Sequence, residues 1–373
     1  MKLTKITTVI GTRPEIIRMS ELIKKFDKLF EHRLIHTGQN SDPNLNEVFF
    51  KDLELRSPDQ YLSVRQGGLG AFLGNLFVAV EIELTNNRPD AVVILGDTNS
   101  ALTAIIAKRF GIPVYHLEAG NRSFDANVPE EINRKIVDHT SDFNLPYSEL
   151  ARQNLLNEGI HPRKIALSGT PLVEVINTHK HKISKSQALE KLNLNKGQYF
   201  LASIHRQENV DYNERLSKLL GALVGIFETY NLPVLVSTHP RTRKQIGSDK
   251  SAFPGILFHE PFGFIDYLAL QKNARLVLSD SGTISEESAI LDFPAITIRD
   301  SMERPEALEA GSIVMAGIEK NQILEAINLV ENSGLSKNYP LEYQIPDFST
   351  RVTNFILSTV HKHKLWNGLY SNS

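Results

Sequence analysis

The feature that most constrains this chain is a rhythm. Short β-branched runs alternate with amphipathic helical stretches, and the pattern plays twice. In the first half, strand patterns fall at residues 6–10, 33–36, 91–95, 113–117, 143–146 and 165–168. Helical spacing lies between them, as in Ile16, Ile17, Met19, Leu22, Ile23 and Phe26, in a helix starting within 45–50, and over 69–84 and 149–158. Strict β-α alternation folds as a parallel sheet covered by helices. Around residues 177–197 the composition turns polar and lysine-rich, and the first half of that segment reads as a linker, with His179 and His181 solvated. The rhythm then restarts, with strands at 199–204, 234–237, 256–259, 276–279 and 295–298 and helices at 213–230, 264–271 and 284–291. At 373 residues the chain is long for one core. The expected fold class is α/β, with two Rossmann-like, doubly wound parallel-sheet domains over residues 1–176 and 177–347. A C-terminal helix and tail, residues 348–373, can pack back on the first domain.

Composition removes several function classes. A net charge of -2 gives no reason to expect nucleic acid or an anionic membrane as partner. The absence of cysteine excludes disulfides, thiolate metal sites and a cysteine nucleophile. The opening MKLTKITTVIGTRPE reads as a first strand and not as a signal peptide. No segment is expected to reach the roughly 20 apolar residues of a membrane span, so a cytoplasmic location is the default expectation.

In an open α/β sheet, ligands bind beyond the carboxyl ends of the strands. The chain delivers acids there. The runs 91–95 and 113–117 are followed by Asp97 and Glu118, and Pro129-Glu130-Glu131 opens the next helix. The turn Gly11-Thr12-Arg13-Pro14-Glu15 joins a strand to a helix, where backbone N–H groups favour an anion and Arg13 can add a bidentate phosphate contact. A plain βα turn with a surface arginine is the competing reading.

The second half offers a matching turn. Ser281, Gly282 and Thr283 present N–H and hydroxyl donors after a buried strand, and Glu287 can accept from ribose hydroxyls. Helix capping by Ser281 or Thr283 explains the same residues without a ligand. His205-Arg206 and His239-Pro240-Arg241 also follow strands, and two histidine–arginine pairs at one sheet edge point to a polyanion-binding or catalytic surface. Arg304 opens a further helix and can join them. Gly68, Gly70 and Gly74 imitate a dinucleotide fingerprint, but the last spacing is wrong and no buried strand precedes them. Phosphate-loop, HExxH and GxSxG motifs are absent.

Eight blocks in order then resemble the non-hydrolysing UDP-N-acetylglucosamine 2-epimerase family: GTRPE (11–15), GDT (96–98), EAG (118–120), PEEINR (129–134), HR (205–206), SDSG (279–282), the pair Glu286-Glu287, and ERPEA (303–307). The resemblance implies two domains facing across a cleft in the GT-B manner, a homodimer, and no cofactor or essential metal. It implies C2 inversion of a UDP-linked 2-acetamido sugar by elimination and re-addition of UDP. Carried over motif by motif, Asp97, Glu118 and Glu130 are the acid/base set and His205 assists departure of UDP. Arg13, Arg18, Arg206, His239, Ser281, Gly282, Thr283, Glu287 and Arg304 belong to the binding set. Departures bear on the substrate. Arg18 stands where relatives carry lysine, and Gln39-Asn40-Ser41-Asp42 replaces a Gln-His-Arg-Glu block. Forms such as HTGQN, LGDTNS and SDSGTISEES resemble the branch that makes UDP-N-acetyl-L-fucosamine from UDP-2-acetamido-2,6-dideoxy-L-talose for capsule or O-antigen. UDP-N-acetylglucosamine as substrate, and a GT-B glycosyltransferase or hydrolysing relative, stay open, since fold does not fix function.

Overall fold

The structure, a computed structural model, describes residues 3–39, 49–62, 64, 67–125, 127–238, 242, 243, 245 and 253–369. Contacts divide the chain into two compact units, Met1–Asn177 with Ile345–Ser373, and Thr178–Gln344. Among the described residues each unit carries one six-stranded sheet, and the pairings are parallel throughout.

Unit 1 contains β1 (Lys5–Ile10), β2 (Glu31–His36), β3 (Gln60–Tyr61), β4 (Ala91–Leu95), β5 (Val114–Leu117) and β6 (Phe143–Leu145). Their order is β3-β2-β1-β4-β5-β6, so the winding reverses between β1 and β4. That reversal opens a crevice at the carboxyl ends of these two strands. Register brings Leu95, Leu117 and Leu145 level, so the turns that follow β4, β5 and β6 leave one edge together. Every residue of β4 is buried, and Val92 and Ile94 pack with Leu76, Val80 and Leu84 of the helix Leu69–Asn86.

That helix corrects one expectation. By length and composition it is apolar enough to cross a membrane. Here its Phe72, Leu76, Val80 and Leu84 are buried in the core, while Leu69, Val78 and Ile82 are exposed.

The C-terminal segment belongs to unit 1. Helix Phe348–Thr359 packs on helix Arg13–Leu29, and Ser349 donates to Glu174 through its backbone N–H (2.8 Å) and hydroxyl (2.6 Å). Further on, His363 bonds the buried Asp142 at 2.9 Å.

Unit 2 contains β7 (Phe200–Ile204), β8 (Val234–Thr238), β9 (Ile256–His259), β10 (Leu276–Ser279), β11 (Ala295–Thr297) and β12 (Val314–Met315). Their order, β12-β11-β10-β7-β8-β9, reverses between β7 and β10. Phe200, Ala202 and Ile204 meet Leu219, Leu223 and Ile226 on one side of its core.

Two further expectations are corrected. Residues 165–168 are no strand. Ile165 forms an isolated bridge with Asn144, and Pro146 has no N–H to extend the ladder. The polar segment after residue 177 opens as helix, not linker. Helix Leu172–Ser184 runs through it and buries Val173, Ile176, His179 and Ile183 at helical spacing, so His179 is not solvated. The helix expected to start within 45–50 is described only from residue 49, and residues 40–48 lie outside the described set.

Candidate active site

In unit 1 the site begins at the switch point. Gly11 follows β1 with Ser100 and Thr37 so close that any Cβ there would collide with their hydroxyls, which bond each other at 2.7 Å. Thr12 caps the helix Arg13–Leu29, and Glu15 completes the capping box. One Glu15 oxygen accepts from the N–H of Gly11 and of Thr12, both at 2.7 Å, and from the Thr12 hydroxyl at 2.9 Å. The other accepts from the Thr98 hydroxyl at 2.8 Å, tying this turn to the one that carries Asp97. Burial pushes the Glu15 carboxyl up to about 7, against the pull of its Thr98, Gly11 and Thr12 donors. Arg13 is half-buried, its guanidinium 5.7 Å from the Phe49 ring centroid.

Asp97 and Glu118 each meet an arginine. Arg134 donates to Asp97 from Nε (2.8 Å) and Nη2 (2.6 Å), and Arg18 pairs with Glu118. Glu118 is buried and holds a left-handed backbone (φ 64°), a conformation that costs a non-glycine residue about 1–2 kcal/mol. Strain of this kind concentrates at functional sites. Asn121 donates to the other Glu118 oxygen at 3.4 Å.

Helix Pro129–Thr140 has its polarity inside out. It buries Glu131, Arg134 and Asp138 at helical spacing while exposing Ile132 and Ile136. Glu130 stands exposed in its first turn. Its neighbour Glu131 accepts from the Ser123 N–H and hydroxyl (3.0 Å each) and from Arg134 (2.8 Å). Burial raises the Glu131 carboxyl, but Ser123 and Arg134 outweigh it and hold it below its ordinary value.

In unit 2 the loops after β7 and β10 meet at the second switch point. Asp280, fully buried, accepts from the backbone N–H of His205 (3.0 and 3.1 Å) and Arg206 (3.0 Å) and from the Asn209 amide (3.1 Å). It also holds the His205 ring by Nδ1 at 3.0 Å. Burial pushes Asp280 up, but His205, Arg206 and Asn209 outweigh it and hold the carboxyl at about 2. His205 thus stands exposed on a fixed base. Ser281 and Thr283 bond each other through their hydroxyls (2.8 Å) and are half-buried, as is Gly282. Glu287 accepts from the Gln271 amide at 2.6 Å.

Arg206 reaches Glu303 at 2.9 Å, and Arg304 is buried, donating to the Gly282 carbonyl at 2.5 Å and facing Glu286 at 3.5 Å. Arg304 therefore braces the 279–283 turn from behind. His239 lies outside the described residues.

Four residues escaped the sequence reading: Glu15 and Arg134, which hold the Asp97 turn, Asp138, and Asp280. Glu15 had a signal in the Thr-x-x-Glu spacing of a capping box. Asp280 had its place at a strand end and within the SDSG block, neither of which gave it a role of its own.

The family model described as UDP-N-acetylglucosamine 2-epimerase matches residues 24–357. The UDP-N-acetylglucosamine 2-epimerase of Methanocaldococcus jannaschii is 38% identical over 88% of this chain and 92% of its own. The UDP-2,3-diacetamido-2,3-dideoxy-D-glucuronate 2-epimerase of Pseudomonas aeruginosa is 32% identical over 86% of this chain and 91% of its own. A solved structure of UDP-N-acetylglucosamine 2-epimerase from Rickettsia bellii superposes with a TM-score of 0.91 at 40% identity, covering 98% of this chain and 100% of that one. With its two parallel α/β units of GT-B-like class and acid-bearing strand ends, the chain belongs to the UDP-N-acetylglucosamine 2-epimerase family, a family of isomerases.

Proposed function

We propose that this chain inverts C2 of a UDP-linked 2-acetamido sugar. A base takes the C2 proton, and the C–H electron pair becomes the C1–C2 double bond as the C1–O bond breaks and UDP leaves with its pair. A proton returned to the opposite face of C2, with UDP oxygen attacking C1, completes the inversion. Asp97, Glu118 and Glu130 serve the proton transfers. His205 and the Ser281, Gly282, Thr283 turn stabilise the charge that develops on UDP, with Glu287 toward its ribose. The observation that carries this reading is the set of acids on adjacent turns of one sheet edge, with Glu118 in a strained backbone and Asp97 and Glu118 each set by an arginine.

The favoured substrate is UDP-2-acetamido-2,6-dideoxy-L-talose, giving UDP-N-acetyl-L-fucosamine for capsule or O-antigen in the cytoplasm. Support comes from the sequence forms quoted above and from Arg18, whose contact with Glu118 makes the lysine replacement a change at the acid/base set. Incubation of the protein with this sugar nucleotide and, separately, with UDP-N-acetylglucosamine in D2O decides the matter. Deuterium enters C2 of the true substrate; no exchange with either refutes the epimerase reading.

A homodimer is part of the proposal. Leu69, Val78 and Ile82 of one helix and Ile132 and Ile136 of another leave apolar surface uncovered in the single chain. Val78→Glu with Ile82→Glu is expected to convert a dimer to a monomer in sedimentation equilibrium. A parent protein that sediments as a monomer contradicts it.

A further inference from the structure

The acid-bearing turns of unit 1 share one buried support that the chemistry above does not use. His116, on β5, and Asp138, on helix Pro129–Thr140, are both 1% exposed. The His116 ring bonds the Asp138 carboxylate through Nδ1 and the Gly96 carbonyl through Nε2, each at 2.8 Å. Asp138 accepts in turn from the Gly120 N–H at 3.1 and 3.2 Å and from Arg122 at 2.8 Å. Asn144 donates to the Asp138 carbonyl at 3.0 Å, holding the helix end.

These bonds fall at informative places. Gly96 directly precedes Asp97, and Gly120 lies two residues past Glu118. Both glycines are left-handed (φ 70° and 81°), so the chain reverses direction there, and the dyad bonds the peptide groups at the two reversals. His116 stands on β5 two residues before Glu118, which opens the turn after that strand. Asp138 is on the same helix as Glu130 and as Arg134, which holds Asp97. The two side chains thus touch the Asp97 turn, the Glu118 turn and the helix whose first turn carries Glu130.

We infer that the His116–Asp138 dyad is a positioning device. It registers the Asp97 and Glu118 turns and the Glu130 helix against one another, and so sets the geometry of proton transfer at C2. The inference rests on the epimerase reading. His116 and Asp138 are positioning residues, since they bond backbone groups and Arg122. A misplacement of about 1 Å can cost about a hundredfold in rate, which a dyad of this kind prevents.

The test uses the full chain and its exchanging UDP-sugar. Asp138→Ala removes the acceptor of Gly120, Arg122 and His116. It is expected to lower the rate of C2 deuterium exchange about a hundredfold while KM and UDP affinity stay within about threefold, because the UDP-holding groups of unit 2 are untouched. Asp138→Asn can keep the bonds, its carbonyl accepting from Gly120 and Arg122 and its amide donating to His116, and is expected within about tenfold of the parent. A folded Asp138→Ala protein with parental exchange overturns the inference, as does an Asp138→Asn protein as slow as Asp138→Ala, or a loss expressed wholly in KM. Should Asp138→Ala not fold, His116→Gln, whose amide can keep one of the two bonds, takes its place. Slower exchange at unchanged KM supports the dyad, and parental exchange in a folded protein overturns it. A parent that fails to exchange would sink the epimerase reading itself, an outcome distinct from all of these.

Discussion

Glu15→Gln tests which of two opposed effects controls the buried carboxyl at the first switch point. Burial raises its proton affinity, while the donors from Gly11, Thr12 and Thr98 favour the ionised form. The structure gives the contest to burial, at about 7 against an ordinary value of 4.5. Below 4.5 both folded and unfolded chains hold the proton and the group contributes no pH dependence. As pH rises the unfolded chain releases its proton first, so stability falls until the folded carboxyl also ionises. The full loss above 7 is about 3 kcal/mol, most of it between pH 5 and pH 8. Glutamine removes the ionisation and keeps the geometry. Its carbonyl takes the place of the oxygen facing Gly11 and Thr12, and its amide donates to the Thr98 hydroxyl. Urea unfolding followed by the fluorescence of Trp366, the sole tryptophan, reports on unit 1, where Glu15 lies. The stability of Glu15→Gln relative to the parent is expected to rise by about 2–3 kcal/mol from pH 5 to pH 8. A flat difference would show that the donors cancel burial, and a falling one that they overcome it.

Other outcomes follow from the same geometry. Glu118→Gln keeps UDP affinity in calorimetry and loses about a hundredfold or more of C2 deuterium exchange, because an amide cannot pass a proton; near-parental exchange would remove Glu118 from the acid/base set. Asp280→Ala leaves the His205, Arg206 and Asn209 donors without their buried acceptor, and is expected to lower the unfolding free energy of unit 2 by about 3–5 kcal/mol and weaken UDP binding. In the parent, the Asp280 carboxyl, held at about 2, contributes stability that is present above pH 3.8 and lost as pH falls through about 2. Gly11→Ala drives a methyl into the Ser100–Thr37 pair and is expected to lower the unit 1 urea midpoint by the equivalent of about 1–3 kcal/mol; an unchanged midpoint would mean the turn yields freely.

Local chemistry made much of this protein legible. Hydrophobic periodicity acts over one or two turns, so strand and helix types were readable wherever the pattern was clean, as at β4 and β7. It failed where one face contradicted the average. The polar, lysine-rich segment after residue 177 reads as a linker by composition, although its His179 and Ile183 continue the buried stripe that Val173 and Ile176 begin in helix Leu172–Ser184. Sequence position also put Asp97, Glu118, His205 and Ser281 at strand ends, because a strand that runs out of buried residues must turn.

Strand order belonged to the tertiary structure alone. It made the β1 and β4 turns neighbours, and those after β7 and β10, through pairings no local pattern encodes. Only then could Glu15 meet Thr98, 83 residues away, or Asp138 meet His116. The inverted helix Pro129–Thr140 was unreadable for the same reason. Whether Arg134 and Asp138 or Ile132 and Ile136 face inward depends on what the rest of the fold offers, and here it offers Asp97, His116 and Gly120, partners that make buried charge favourable.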